Sequence, residues 1–223
     1  MPEVVDVPAL MMAAYVKHGY AFFDDGDFDL NLFGVRHPDY GNLFNDLLGC
    51  ICKVDGLWRA WLWRGTTDPG GYYLRQPMTS KGTAIVVPGQ HRSVWRLGKH
   101  NGKYEALVQR DDTGSVRVYR DVNKDTVLDL SADAIYEGHY SINCHRAGEH
   151  SQQVDKWSAG CQVHGDLAGF FEMMWIAHMQ PLVHPGWTKY TYTLFTMMDD
   201  PTVESDPELD VLFGLNQGWI KAA

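Results

Sequence analysis

The chain has 223 residues, a formal net charge of −9, 45% hydrophobic residues and 21% charged residues. That balance excludes a disordered or fibrous chain, and no apolar run reaches the roughly 18–20 residues of a membrane-spanning helix. An acidic chain without clustered Lys or Arg also argues against nucleic acid and against insertion into or binding at an anionic membrane, since both partners select a basic field. No internal repeat and no Ser/Gly/Pro-rich linker divides the sequence, so one continuous globular unit is expected.

In chain order, "PALMMAAYVKHG" predicts a short N-terminal helix, and "DLNLFGVR" a first strand after an acidic turn. Glu3 and Asp6 sit where an export signal carries Lys or Arg, so no signal peptide is read. The spacing in "YGNLFNDLLGCI" suggests a second helix. Cys50 and Cys52 follow, two positions apart, and paired burial outweighs a metal or redox pair. From residue 57 to residue 130 the segments "LWRAWLWR", "TAIVVPG", "YEALVQR" and "SVRVYRD" are short, aromatic or β-branched, and separated by "TTDPGG", "PGQH", "GKHNGK" and "DDTGS". This is antiparallel β structure, a sandwich or a barrel. The three tryptophans of "WRAWLWRG" fit a core better than a sugar-stacking platform. "YEGHYSINCHRAG" reads as a further strand that leaves into a loop.

After residue 165, "GDLAGFFEMMWIAHMQPLV" spaces apolar residues at helical intervals, with Asp166 as cap, Met173, Met174 and Trp175 as core, and Pro181 as the stop. "TKYTYTLFTMM" alternates like a late strand, and "DDPTVESDPELD" reads as a solvated acidic surface. The fold class expected is mainly β (α+β), with a helix after Cys161 and a helical extension at the N-terminus.

Four cysteines in a chain of this size make no disulfide scaffold, and reduced thiols are the default. Cys161 stands apart. Ser158, Ala159 and Gly160 before it are small enough to let backbone N–H groups converge on one point, and a helix follows within a few residues. A thiol there becomes a nucleophile when a cation, a helix N-terminus or an imidazole assists its deprotonation. His145, at the end of a predicted strand sixteen residues upstream, is the candidate base. Sequence spacing alone leaves this open against a buried thiol in a turn.

The stretch "INCHRAG…WSAGCQV" resembles the signature of the L,D-transpeptidase catalytic domain, the YkuD-like family. In that family a strand ends in a histidine and a Ser-x-Gly-Cys turn follows after a loop. The matching residues are His145, Ser158, Gly160 and Cys161, over about residues 135–165, with an architectural likeness from about residue 82. The resemblance implies a catalytic domain over residues 81–223, with residues 1–80 as an extension packed on it. It implies that Cys161 attacks a carbonyl of a peptidoglycan stem peptide and that His145 moves the proton. Gly160 and Cys161 N–H groups would bind the oxyanion, and Ser158 would shape the turn or meet the substrate. The family carries Gly after its histidine and an apolar residue then Arg after its cysteine; this chain has Arg146, and Gln162 with Val163. Arg146, Gln162 and Trp157 are therefore the expected substrate-binding residues. No cofactor is implied. Without an export signal, a wall-directed enzyme of this kind is expected to be phage-encoded or delivered by another system, and to hydrolyse or exchange rather than to cross-link.

Rival readings are a zinc site among His139, Cys144, His145, His150, Cys161 and His164, a calcium loop at "DVNKD", and a non-catalytic wall-binding or virion protein. Zinc is disfavoured because Cys144 and His145 are strand neighbours facing opposite sides. Calcium is disfavoured because Thr126 stands at the sixth position, where Gly is needed, and Ala132 at the twelfth, where Glu is needed. His91, His100 and His178 read as surface or satisfied core residues.

Overall fold

The computed structural model describes residues 5–38, 40–215 and 218–221; Glu3, one of the acids weighed above, lies outside them. Helix α1 (Val7–Lys17) begins where the Asp6 carboxylate accepts the Ala9 N–H at 3.0 Å. Strands β1 (Asn31–Arg36), β2 (Asp46–Val54) and β3 (Leu57–Thr66) follow. The β2–β3 hairpin turns on Asp55 and Gly56, both at positive φ (53° and 72°), the pair that an Asp-Gly turn of matching twist requires. A short helix α2 (Gly71–Arg75) leads to β4 (Thr83–Val86), β5 (Gly89–His100) and β6 (Tyr104–Gln109). Next come β7 (Val116–Asp121), β8 (Ile135–Gly138), β9 (Cys144–Arg146) and β10 (Gln162–His164). The chain continues through α3 (Leu167–Val183), β11 (Tyr190–Thr196), a 3₁₀ helix (Pro207–Gly214) and β12 (Gly218–Lys221).

Among the described residues, eight strands close into a barrel in the order β10-β9-β6-β5-β11-β1-β2-β3, and β10 returns to β3 with Val163 opposite Thr66 and His164 opposite Gly65. A Cβ on Gly65 would lie 2.8 Å from the Val163 carbonyl oxygen, so this glycine allows the seam to shut. Strand β12 pairs with β3 outside the ring, and β4, β7 and β8 form a separate small sheet. The interior holds Leu32, Leu48, Cys50, Trp61, Trp63, Trp95 and Tyr192, against the buried face of α3 (Phe170, Met173, Ala177). The outer face of β1–β3 (Phe33, Val35, Leu47, Ile51, Ala60, Leu62) packs on α1 and on Leu209 and Leu212 of the 3₁₀ helix.

The mainly β reading therefore resolves to a closed barrel with few helices. Several expectations change. The second half of the expected "second helix" is β2, whose residues are buried on both faces and so lose the alternation that marks a strand. The first 80 residues are not an extension laid on a core, because β1–β3 form part of the barrel wall. Trp175 is exposed (57%), while Met173 and Met174 are buried as expected. The acidic C-terminal stretch is not simply solvated: Asp206 is buried and bonded to His18 Nε2 at 2.8 Å and to Lys17 Nζ at 3.0 Å.

Candidate active site

Strands β9 and β10 run parallel, with Gln162 opposite Cys144 and Val163 opposite His145. Alternation then puts Cys161 and His145 on one face and Cys144 and Gln162 on the other. The structure agrees. Cys144 is in the interior core, while Cys161, partly exposed, and His145 both line a cleft of about 480 Å³.

The turn before Cys161 is built on Ser158, which is fully buried. Its hydroxyl donates to the Cys161 carbonyl at 2.8 Å and accepts the Gly160 N–H at 3.1 Å. Gly160 sits at φ 122°, and a Cβ there would come within 2.7 Å of the Ala84 carbonyl oxygen, so only glycine fits. Ser158 is thus a turn-former and not a substrate contact, and the Gly160 N–H expected at the oxyanion is already engaged. Cys161 Sγ lies 3.5 Å from both the Ser141 carbonyl, to which it donates, and the Asn143 N–H, which it accepts. Burial pushes this thiol up to about 11 despite the Asn143 N–H, so it rests protonated at neutral pH.

His145 is buried, and its Nδ1 lies 3.0 Å from the Arg146 carbonyl oxygen and 3.3 Å from the Tyr104 hydroxyl. A carbonyl only accepts, so Nδ1 carries the proton and Nε2 carries the lone pair. Among the described residues Nε2 makes no hydrogen bond, to the Cys161 thiol or to another group, although the Trp157 backbone also favours a charged ring. Burial, then the neighbouring His100, holds His145 down to about 3. His100, read from sequence as an ordinary surface or core histidine, stacks on His145 at 3.9 Å between ring centroids and lines the same cleft. No local signal could have found it, because β5 and β9 meet only through β6.

The expected substrate contacts divide. Trp157 lines the cleft and is 39% exposed. Arg146 does not line it: the guanidinium lies 4.5 Å over the Tyr104 ring and donates to the Ala147 carbonyl. Gln162 is fully buried, with its Oε1 accepting the Tyr192 hydroxyl at 2.6 Å and its Nε2 facing the Thr67 and Gly160 carbonyls. Both depart from expectation for one reason: strand alternation turns residues 146 and 162 away when residues 145 and 161 face the cleft. The cations that do line the cleft are Arg120, held over Tyr140 at 4.5 Å with a buried, unpartnered Nε, and Lys156.

Among the described residues no three His, Cys, Asp or Glu side chains converge to hold a metal ion. Cys50 and Cys52 are free thiols buried in the interior. Asp121 of the "DVNKD" segment is fully buried and accepts the Asp129 N–H at 3.2 Å. Comparison with family models, with curated proteins and with solved structures returns no match.

Proposed function

We propose that the protein is a cysteine-dependent acyl-transfer enzyme acting on peptidoglycan stem peptides. The observation that carries the chemistry is that the His145 imidazole, its Nδ1 held by the Arg146 carbonyl, and the Cys161 thiol line one cleft. Because the thiol rests protonated and the imidazole neutral, no ion pair is preformed. His145 takes the thiol proton as sulfur attacks the carbonyl carbon, and returns that proton to the amine as the C–N bond breaks. The Cys161 N–H takes the role of oxyanion donor, since the Gly160 N–H is bound to Ser158. Water then splits the thioester to give a carboxylic acid, or an amine takes the acyl group to give an exchange or a cross-link. The substrate class rests on the resemblance carried by His145, Ser158, Gly160 and Cys161. Arg120 and Lys156, not Arg146, are placed to meet a substrate carboxylate.

Cys161→Ala and His145→Ala should each abolish turnover of purified sacculi, read by mass spectrometry of muropeptides, whereas Cys144→Ala, changed on the interior face, should retain most of it. If Cys161→Ala processes muropeptides like the parent, the mechanism is wrong. A second reading, a non-catalytic wall-binding or virion protein, is favoured by one observation: the thiol bonds to backbone groups and not to His145. Such a protein would bind sacculi equally well after Cys161 is alkylated and would turn over none.

A further inference from the structure

We propose that His100 is a positioning residue for His145: a neutral imidazole, fixed in one tautomer by Asn143, that clamps the His145 ring and keeps its Nε2 unprotonated. The inference rests on the Cys161–His145 reading above. Its geometry begins at Gln109, whose main-chain N–H donates to Asn143 Oδ1 at 2.9 Å. That bond settles which end of the buried amide is which, so Asn143 Nδ2 is the group that lies 3.1 Å from His100 Nδ1 and donates to it. His100 Nδ1 must then hold a lone pair and the proton sits on Nε2, which requires the exposed Asn101 amide, whose Nδ2 stands 3.0 Å away, to turn its oxygen toward the ring. The same Asn143 donates its backbone N–H to Cys161 Sγ, so one residue registers the thiol and the second imidazole together.

Protonating His100 would set its Nδ1–H against the Asn143 Nδ2–H and would place a cation against the His145 ring, whose centroid is 3.9 Å away with the planes 23° apart. The groups around the stack act in the same direction. Lys103, on the turn between β5 and β6, disfavours a charged His100, and Arg146 of β9 disfavours a charged His145. His145 opposes protonation of His164 of β10. Tyr104 of β6 faces both rings, at 5.6 Å from His100 and with its hydroxyl 3.3 Å from His145 Nδ1. Among these groups His100 alone covers the His145 ring face to face.

The test is histidine-¹⁵N NMR of the full chain across pH, for wild type, His100→Gln and His100→Phe. Wild type should show His145 as the Nδ1–H tautomer and His100 as the Nε2–H tautomer. His100→Gln uncovers the ring and removes the second titratable imidazole, so the His145 titration should move up by about one pH unit or more. His100→Phe keeps a flat cover, should move it less, and preserves the packing if the Gln variant does not fold. The acid limb of kcat should rise with the titration while KM stays constant. An unchanged His145 titration in both variants, or a His145 found as the Nε2–H tautomer, overturns the proposal. If the titration moves while Cys161→Ala still turns over sacculi, the acyl-transfer reading fails and the coupling stands. If turnover needs Cys161 and His145 but the titration is fixed, only the His100 assignment falls.

Discussion

His164 faces the barrel interior between Trp63 and Phe170, with ring centroids 5.4 and 5.7 Å away, and neither ring nitrogen has a partner among the described residues. Burial holds it down to about 3. The sign of its effect on stability follows directly. Below the ordinary histidine value near 6.5 the unfolded chain binds a proton that the folded chain refuses, so stability is lost as pH falls from there toward the folded value. His164→Phe removes two orphaned polar atoms and should stabilise the protein. The gain should grow by up to about 1.4 kcal/mol per pH unit between roughly pH 6 and pH 4. Urea midpoints of the two proteins at several pH values check this; a gain independent of pH would refute it. The residue scale is also where sequence was least informative. Cys161 and His145 were legible from small residues, spacing and resemblance, but the fates of Arg146 and Gln162 depend on which face each takes once β9 and β10 are paired. That register is a tertiary fact.

At the scale of elements, α3 shows how a local rule is overridden. Proline lacks an N–H, and Pro181 was expected to end the helix, yet α3 continues to Val183. The carbonyl that loses its partner is Ala177, and the Tyr190 hydroxyl of β11 fills that place at 2.7 Å. Tyr190→Phe should therefore cost about 1–3 kcal/mol, the penalty of a buried unsatisfied carbonyl. Pro181→Ala added to that variant should recover most of it, because the replacement supplies the missing N–H. A double-mutant cycle in urea measures the coupling, and additive effects would show that the two groups act independently. Elements with clean signals were legible: α1, β1, β3, β6 and β11 all lie where their periodicity placed them. β2 was not, because Leu43, Phe44, Leu47 and Leu48 recur at helical spacing within a segment whose strand is buried on both sides. β5 was hidden by Gly89 and Gly98, which read as turn punctuation but sit inside one long strand.

The whole molecule is tied across its ends by Asp206. Its carboxylate holds His18 and Lys17 at the end of α1, and its N–H donates to the Thr196 carbonyl at the end of β11 at 2.8 Å. Asp206→Ala should lower stability by about 2–3 kcal/mol, through the loss of a buried charge partner, and should leave Cys161-dependent turnover per folded molecule unchanged, since none of these residues lines the cleft. A thermal melt and an activity titration on the same preparation separate the two effects; a proportionate loss of turnover by fully folded protein would show that this tie reaches the site. That the ring is closed was beyond sequence reading, which left sandwich and barrel open, because closure rests on one short seam between β3 and β10.

That seam has a consequence for the order of events as the chain folds. β10 follows Cys161 directly and lies between β3, finished about a hundred residues earlier, and β9. The hairpins can assemble from neighbouring sequence, but joining β10 to β3 closes a long loop and belongs to the slow, late part of folding. Until it shuts, the turn at Cys161 has no partner strand on one side and its thiol is an ordinary one. Reactivity of Cys161 is in this sense a clock on the last joint of the barrel: thiol labelling during refolding should register closure after the hairpins are already protected from hydrogen exchange.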